Sequence, residues 1–272
     1  MDLHLHDTVA LVTGGASGIG RACVDALVTE NAHVLILDRS GEGQSVADAH
    51  RSRGARVDFV QTDITDEAQV RRAVDHALDT FGGLDTVLGC AGISGPVGAR
   101  ATQVSVDEWD RVMAVNVRGN FLLAKHTVNY LQNSDVGTLV FLASDAALVA
   151  FEGMAPYSTS KGAMLMLTRS LSVDHPQVRV NALCPGIVDT PMSRADLGRA
   201  DGFAGTNLPV MSAHQLAGHA LFLASPISAP INGTALVSDF GYLARSAVGA
   251  LDFTSNSEPA STYPGPAPLL PE

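Results

Sequence analysis

Residues 8–20 read TVALVTGGASGIG, a short apolar and β-branched run followed at once by a glycine-rich turn. The apolar run predicts a buried strand, and the spacing of apolar positions in residues 18–30 predicts a helix after the turn. Because glycine has no Cβ, Gly14, Gly18 and Gly20 permit a tight turn and a close approach of the backbone to a diphosphate. The amino end of the helix adds free N–H groups and partial positive charge. This stretch predicts a nucleotide-binding strand, turn and helix.

The same alternation of short apolar runs and helical patterns continues along the chain. Strands are predicted at residues 8–13, 33–37, 57–61, 86–89, 138–143, 178–183 and 235–237. Helices are predicted at residues 18–30, 42–53, 67–80, 105–131, 157–173 and 214–224. Strands that alternate with helices favour a parallel sheet covered on both faces. We therefore predict an α/β fold, a doubly wound, Rossmann-like parallel sheet of about seven strands in a single domain.

The domain is expected to span residues 1–242, because no linker rich in Pro, Gly or Ser precedes residue 243. Residues 243–272 are predicted to be a C-terminal extension. Residues 255–272 carry five prolines and no apolar periodicity, so the extension cannot form a core by itself. We expect it to be mobile or to lie on a neighbouring subunit.

Composition excludes several classes of function. The net charge is -11, which disfavours partners with dense negative charge, such as nucleic acids and anionic membranes. The amino terminus lacks the pattern of a signal peptide, and no apolar stretch is long enough to span a membrane. Three cysteines without CxxC spacing indicate a reducing compartment, so we expect a cytoplasmic protein. The nine histidines show no ligand spacing, so no metal site is predicted.

A carboxylate at the end of the second predicted strand bears on the choice of nucleotide. Asp38 lies 18 residues after Gly20, where it can accept hydrogen bonds from an adenosine ribose and repel a 2′-phosphate. Position 17 is serine and offers no phosphate clamp. Arg39 leaves an alternative open, since it can reach a 2′-phosphate or stack on adenine. We predict NAD rather than NADP as the cofactor.

A second motif supplies an acid and base group. Tyr157 and Lys161 lie one helical turn apart and therefore share a helix face. Bringing a phenol from a pKa of ~10 to ~7 takes about 4 kcal/mol. An ammonium ~4 Å away at an effective dielectric of ~20 supplies roughly that much. Together with a nucleotide site, the pair predicts redox chemistry on an alcohol or ketone.

With these motifs assembled, the chain resembles the short-chain dehydrogenase/reductase family over roughly residues 5–242. Ser144 lies 13 residues before Tyr157, and Asn116 lies 28 before Ser144, as in the family's catalytic tetrad. The resemblance implies that Tyr157 is the general acid and base and that Ser144 holds the substrate oxygen. Asn116 is implied to anchor a proton-relay water, and Lys161 to bind the nicotinamide ribose. It also implies a homotetramer.

The resemblance and the turn together define a predicted cofactor site. Its residues lie at the ends of successive predicted strands and include the tyrosine and lysine of the tetrad. They are Gly14, Ser17, Gly18, Ile19, Gly20, Asp38, Arg39, Asp63, Ile64, Cys90, Ala91, Gly92, Tyr157, Lys161, Pro185, Gly186, Ile187, Val188 and Thr190. Cys90 departs from the family, which usually has Asn there to steady the sheet. The segment 192–207 is short for a substrate lid, and its glycines suggest a mobile cover.

The substrate pocket is expected to be apolar and without an arginine clamp. Its predicted residues are Ala146, Leu148, Phe151, Met154, Met192 and Leu197. Such a wall favours a hydrophobic cyclic or aryl secondary alcohol, or its ketone, over an anionic substrate. Two alternatives remain: an NADPH-dependent 3-oxoacyl-type reductase, and a non-catalytic nucleotide-binding sensor. Comparing rates with NADH and NADPH tests the reductase alternative. Nucleotide binding without turnover would support the sensor.

Overall fold

The computed structural model describes residues 2–206 and 208–244. Met1–Phe240 form one compact unit, and Gly241–Glu272 group separately. The predicted extension, residues 243–272, lies outside the described residues except for its first two positions. Its expected mobility therefore stays a prediction.

The core of the unit is a seven-stranded sheet in which every neighbouring pair is parallel. Its strands are β1 Val9–Thr13, β2 His33–Asp38, β3 Val57–Gln61, β4 Thr86–Gly89, β5 Thr138–Leu142 and β6 Arg179–Pro185, and the last is β9 Ala235–Ser238. Their order is β3-β2-β1-β4-β5-β6-β9. The predicted doubly wound sheet is confirmed. Because the order reverses between β1 and β4, a crevice opens beyond the carboxyl ends of these two strands.

Helices cover both faces of this sheet. They are α1 Gly18–Thr29, α2 Gly43–Arg51, α3 Glu67–Phe81, α4 Val106–Met113, α5 Asn120–Leu131, α6 Ala155–Asp174, α7 Pro191–Asp196 and α8 Ala213–Ala224. One apolar cluster joins the sheet to α1, α2 and α8, and a second joins it to α3, α5 and α6. None of the helices in the described ranges is long and apolar enough to cross a membrane.

Strand β1 shows why the first apolar run decides the fold. Ala10 and Val12 pack into the cluster with α1, whereas Val9 and Leu11 pack into the cluster with α3. A strand whose alternate side chains are buried on opposite faces needs an apolar residue at every position. This requirement explains the continuous run that precedes the glycine turn.

Two features differ from the sequence prediction. The predicted helix 105–131 is interrupted at Ala114–Gly119, which form a π-helical turn around Asn116 between α4 and α5. The segment 192–207, expected to be a mobile cover, begins within α7, and a small parallel pair of strands, β7 Val188–Asp189 and β8 Met211–Ser212, flanks it. A signal for α7 was present, because Pro191 stands at the first helical position after Thr190, whose hydroxyl accepts from Ser193 N.

Candidate active site

A cleft of about 510 Å³ lies beyond the carboxyl ends of the central strands. Every residue of the predicted cofactor site lines it: Gly14, Ser17, Gly18, Ile19, Gly20, Asp38, Arg39, Asp63, Ile64, Cys90, Ala91, Gly92, Tyr157, Lys161, Pro185, Gly186, Ile187, Val188 and Thr190. These residues come from separate segments, and the topology brings them together because parallel strands end at one edge of the sheet.

The glycine turn between β1 and α1 is shaped to admit a group against its backbone. Gly14 has φ +69° and Gly18 has φ +52°, conformations that favour glycine. A Cβ on Gly20 would lie 2.2 Å from the Gly14 carbonyl oxygen, so no side chain fits there. Ser17, the N-cap of α1, makes no side-chain capping hydrogen bond. The N–H groups at the start of α1 are therefore left for an anionic ligand.

Asp38 connects the end of β2 to this turn. Its carboxylate accepts hydrogen bonds from Ala16 N at 3.0 Å and from Ser40 N at 2.9 Å. Each carboxylate oxygen has further lone pairs, so the side chain can still accept from a ligand hydroxyl. Arg39, beside it, is exposed. Asp38 thus places a negative charge at one end of the cleft.

The segment after β4 forms the floor of the cleft. Ala91 N donates to Thr13 Oγ1 at 3.1 Å, which ties this segment to β1. Cys90 packs against the apolar cluster that contains Cys23 of α1. The Cys90 thiol and burial together raise the pKa of Cys23 well above its ordinary value. Asn120 Oδ1, which a Cβ on Gly89 would approach to 2.7 Å, is buried without a hydrogen-bond partner.

The phenol and ammonium predicted from the sequence lie together at the other end of the cleft. The Lys161 ammonium is 5.4 Å from the centroid of the Tyr157 ring and donates to the Leu142 carbonyl at 2.7 Å. Ser144 follows β5 and faces the same space. The segment after β4 passes close to this lysine, since a Cβ built on Gly92 would lie in van der Waals contact with Lys161 Nζ at 3.6 Å and 3.2 Å from Asn116 Oδ1.

The expected lowering of the Tyr157 pKa does not arise from the protein groups alone. Burial raises the pKa of Tyr157 to about 12, and the Asp145 and Asp196 carboxylates add to the increase. The neighbouring Ser144 hydroxyl opposes the increase. Burial also lowers the pKa of Lys161 to about 8. Desolvation dominates the pKa of both groups, and the spacing of the two residues in the sequence does not reveal it.

The pKa of Lys161 predicts a pH-dependent stability difference. In the unfolded chain the lysine titrates near 10.5, so between pH 8 and 10.5 the unfolded state binds more protons and stability rises with pH. Lys161→Met removes this dependence. As the pH rises through this window, the unfolding free energy of Lys161→Met should therefore fall by at most about 3 kcal/mol relative to that of wild type.

Urea unfolding at pH 7.5, 8.5 and 9.5 measures this difference. Lys125→Met is the matched control, because Lys125 is exposed and paired with Glu67. A constant difference between wild type and Lys161→Met over this range would contradict the prediction.

Asn116, in the π-helical turn, does not line the cleft, and its side chain is fully engaged. Its Oδ1 accepts from Ile93 N at 2.8 Å, and its Nδ2 donates to Ile93 O and to Ser160 Oγ, both at 2.9 Å. The side chain thus links the segment after β4 to α6, beside Tyr157. Its backbone carbonyl accepts from Asn120 Nδ2 at 2.8 Å, and the water-anchoring role implied by the family resemblance stays a prediction.

Five of the six residues predicted to form the substrate wall lie along the cleft. Ala146, Phe151, Met154, Met192 and Leu197 line the cleft. Leu148 lies outside it and is 46% exposed, because the chain turns through a short 3-10 helix at Asp145–Ala147.

Other lining residues were not predicted. They are Ile93, Val97, Val115, Asp145 and Asp196 among others. Asp145 was signalled by its position next to Ser144, whereas Asp196 lies in the segment interpreted as a loop. Ser94 Oγ donates to Asp196 Oδ1 at 2.9 Å, which joins α7 to the segment after β4 across the cleft.

Comparisons with known proteins agree with this geometry. Residues 8–199 match the short chain dehydrogenase family. The 2-(R)-hydroxypropyl-CoM dehydrogenase of Xanthobacter autotrophicus is 37% identical over 246 residues, covering 87% of this chain and 98% of that protein. The cyclopentanol dehydrogenase of Comamonas sp. is 34% identical over 250 residues, covering 89% and 99%. The structure of levodione reductase matches with a TM-score of 0.83 and 29% identity, covering 89% of this chain and 100% of its own.

The chain therefore belongs to the short-chain dehydrogenase family. It is an oxidoreductase of the class that binds a nicotinamide cofactor, NAD or NADP.

Proposed function

We propose that this protein is an NAD-dependent dehydrogenase that interconverts a hydrophobic cyclic or aryl secondary alcohol and its ketone. The observation that carries the proposal is the shared cleft. Asp38 ends β2 and the glycine turn follows β1, whereas Ser144 follows β5, and Lys161 lies beside Tyr157; β1 and β4 separate β2 from β5 in the sheet, and all these residues line the one cleft. A dinucleotide bound along the cleft from Asp38 toward Ser144 would bring its redox group to the phenol.

The residues present fit such a cofactor. The turn at Gly14–Gly20 leaves room for a diphosphate, Asp38 suits a ribose diol, and Lys161 can donate to the second ribose. When bound, the nicotinamide accepts or supplies a hydride, and its oxidised form is positively charged. Thr190 is less free than predicted, because its hydroxyl already accepts from Ser193 N at 3.2 Å.

The choice of NAD over NADP can be tested at Asp38. Wild type is expected to prefer NADH to NADPH. Asp38→Asn should reduce the ratio of kcat/KM with NADH to kcat/KM with NADPH about tenfold or more, because hydrogen bonds to a charged group contribute ~1.5–3 kcal/mol. Asp48→Asn, at an exposed carboxylate of α2, is the control. A wild-type preference for NADPH would contradict the prediction and favour the 3-oxoacyl-type reductase.

The chain's own groups define the proton chemistry. A Tyr157 pKa of about 12 keeps the phenol protonated at neutral pH, the form required to donate to a carbonyl oxygen during reduction. Alcohol oxidation requires the opposite transfer, and cationic neighbours of the phenol favour it. Ser144 lies where it can orient the substrate oxygen. Asn116 holds the Ile93 segment and α6 in register, so that the phenol keeps its position.

The apolar wall supports the substrate class. Phe151, Met154 and Met192 face the cleft near Tyr157, and among the described lining residues the cations are Arg39, at the adenosine end, and Lys161. A panel of cyclopentanol, 1-phenylethanol and a hydroxy acid with NAD tests this. Turnover of the first two and little of the third is expected; the reverse order would contradict the substrate class.

We also propose that the protein is a homo-oligomer, as the family resemblance implies. Large apolar side chains are exposed on α4, α5 and α6, including Trp109, Phe121 and Met166. Such patches are typical of contact surfaces. Sedimentation at micromolar concentration tests this, and a monomer would contradict it.

A further inference from the structure

Asp145 follows Ser144 directly, lines the cleft and has 8% of its surface exposed. The Ser144 hydroxyl donates to Asp145 Oδ1 at 2.9 Å, and Ser144 Oγ accepts from Ala146 N at 3.1 Å. A serine hydroxyl has one proton and two lone pairs. Its proton and one lone pair are therefore engaged, and the remaining lone pair is what Ser144 can offer to a ligand.

We propose that Asp145 is a positioning residue that makes Ser144 a hydrogen-bond acceptor toward the cleft, so that the site binds a secondary alcohol more tightly than its ketone. The inference rests on the proposed function, in which Ser144 holds the substrate oxygen. An alcohol can donate its proton to the free lone pair. A carbonyl has no proton, so the ketone meets an acceptor and depends on Tyr157 alone.

The electrostatic surroundings of Asp145 make this arrangement sensitive to acid. The titratable groups that interact with it are Asp239 after β9, Tyr157 on α6 and Cys184 on β6. Cys184 also interacts with the Lys161 ammonium, which donates to the Leu142 carbonyl. Burial raises the pKa of Asp145, and the Asp239 carboxylate adds to the increase. Once protonated, the carboxyl can itself donate to Ser144, which frees the serine proton. The preference for alcohol should then decline as the pH falls.

Ligand binding in a Tyr157→Phe background tests the proposal without turnover. The probes are cyclopentanol and cyclopentanone, each titrated against the NADH complex by fluorescence. The ratio of ketone to alcohol dissociation constants should fall about tenfold on Asp145→Ala, the effect of one hydrogen bond. Asp145→Asn keeps an acceptor oxygen, so its ratio should match the parent at neutral pH and no longer fall in acid.

A matched series assigns the effect to Ser144. With Ser144→Ala already present, Asp145→Ala should leave the ratio unchanged. Two results would overturn the proposal. One is that Asp145→Ala leaves the ratio of ketone to alcohol dissociation constants unchanged when Ser144 is present. The other is that it lowers this ratio equally when Ser144→Ala is present.

A ligand-free measurement separates this proposal from the proposed function. Ultraviolet titration, with Tyr157→Phe as the reference, reports the Tyr157 pKa in the two Asp145 variants. Asp145→Ala and Asp145→Asn remove the same charge. Only Asp145→Ala also frees the Ser144 proton to donate to the phenolate. The ionisation constant of Tyr157 should therefore be about tenfold larger in Asp145→Ala than in Asp145→Asn. Equal constants would overturn the proposal. If the two ionisation constants differ but neither cyclopentanol nor cyclopentanone binds, the result would support the role of Asp145 and contradict the proposed substrate class.

Discussion

Tyr157→Phe is expected to reduce kcat/KM roughly 10³-fold in both directions, within the range attributed to positioned general acids and bases. The substitution removes one oxygen from a ring that lines the cleft and lies beside the Lys161 ammonium. Because the ring remains, packing against Lys161 should persist. The loss should therefore fall on the proton-transfer step.

Steady-state rates with a cyclic alcohol and NAD measure the effect, and titration of NADH measures cofactor binding separately. Tyr130→Phe is the matched control, since Tyr130 is 39% exposed on α5, away from the cleft. Cofactor affinity within about threefold of wild type is expected in both variants. Wild-type turnover by Tyr157→Phe would exclude the phenol as the acid and base.

Gly20→Ala is expected to lower the free energy of unfolding by about 3 kcal/mol. The same substitution should weaken dinucleotide binding roughly 100-fold, as expected when binding groups are displaced by about 1 Å. The added Cβ would lie 2.2 Å from the Gly14 carbonyl oxygen and 2.7 Å from its carbon. Both atoms belong to the backbone, so α1 or the turn must move.

Gly218→Ala is the control for this substitution. Gly218 lies in α8, and its added Cβ meets nothing within 4 Å. Replacing an exposed helical glycine by alanine should raise stability by up to ~1 kcal/mol and leave nucleotide binding unchanged. Urea unfolding and NADH titration measure both variants. Equal behaviour of the two would show that the turn tolerates a side chain.

The fold was predictable because its signals are local and repeated. The continuous apolar run of β1 needs two covered faces, and the glycine turn fixes the direction of the chain into α1. The convergence of Asp38, Gly92 and Tyr157 followed from the topology, because the ends of parallel strands share one edge. No distance had to be known for that inference.

What the sequence could not predict depends on contacts between distant segments. The side chain of Asn116 is used by Ile93 and Ser160, and neither contact is visible in a motif. The pKa of Tyr157 depends on how deeply the phenol is buried, which the spacing to Lys161 does not reveal. Leu148, which follows the 3-10 turn at Asp145–Ala147, does not line the cleft, and the sequence gives no sign of that turn.

The hydrogen bond from Lys161 to the last carbonyl of β5 means that this side chain is already immobilised before a nucleotide arrives. A solvated lysine gives up as much as ~2 kcal/mol of rotamer entropy when it is fixed. In this protein the rotamer entropy of Lys161 is lost when the chain folds and not when the nucleotide binds. A calorimetric comparison of wild type with Lys161→Arg should therefore show a smaller unfavourable entropy of nucleotide binding in the native chain.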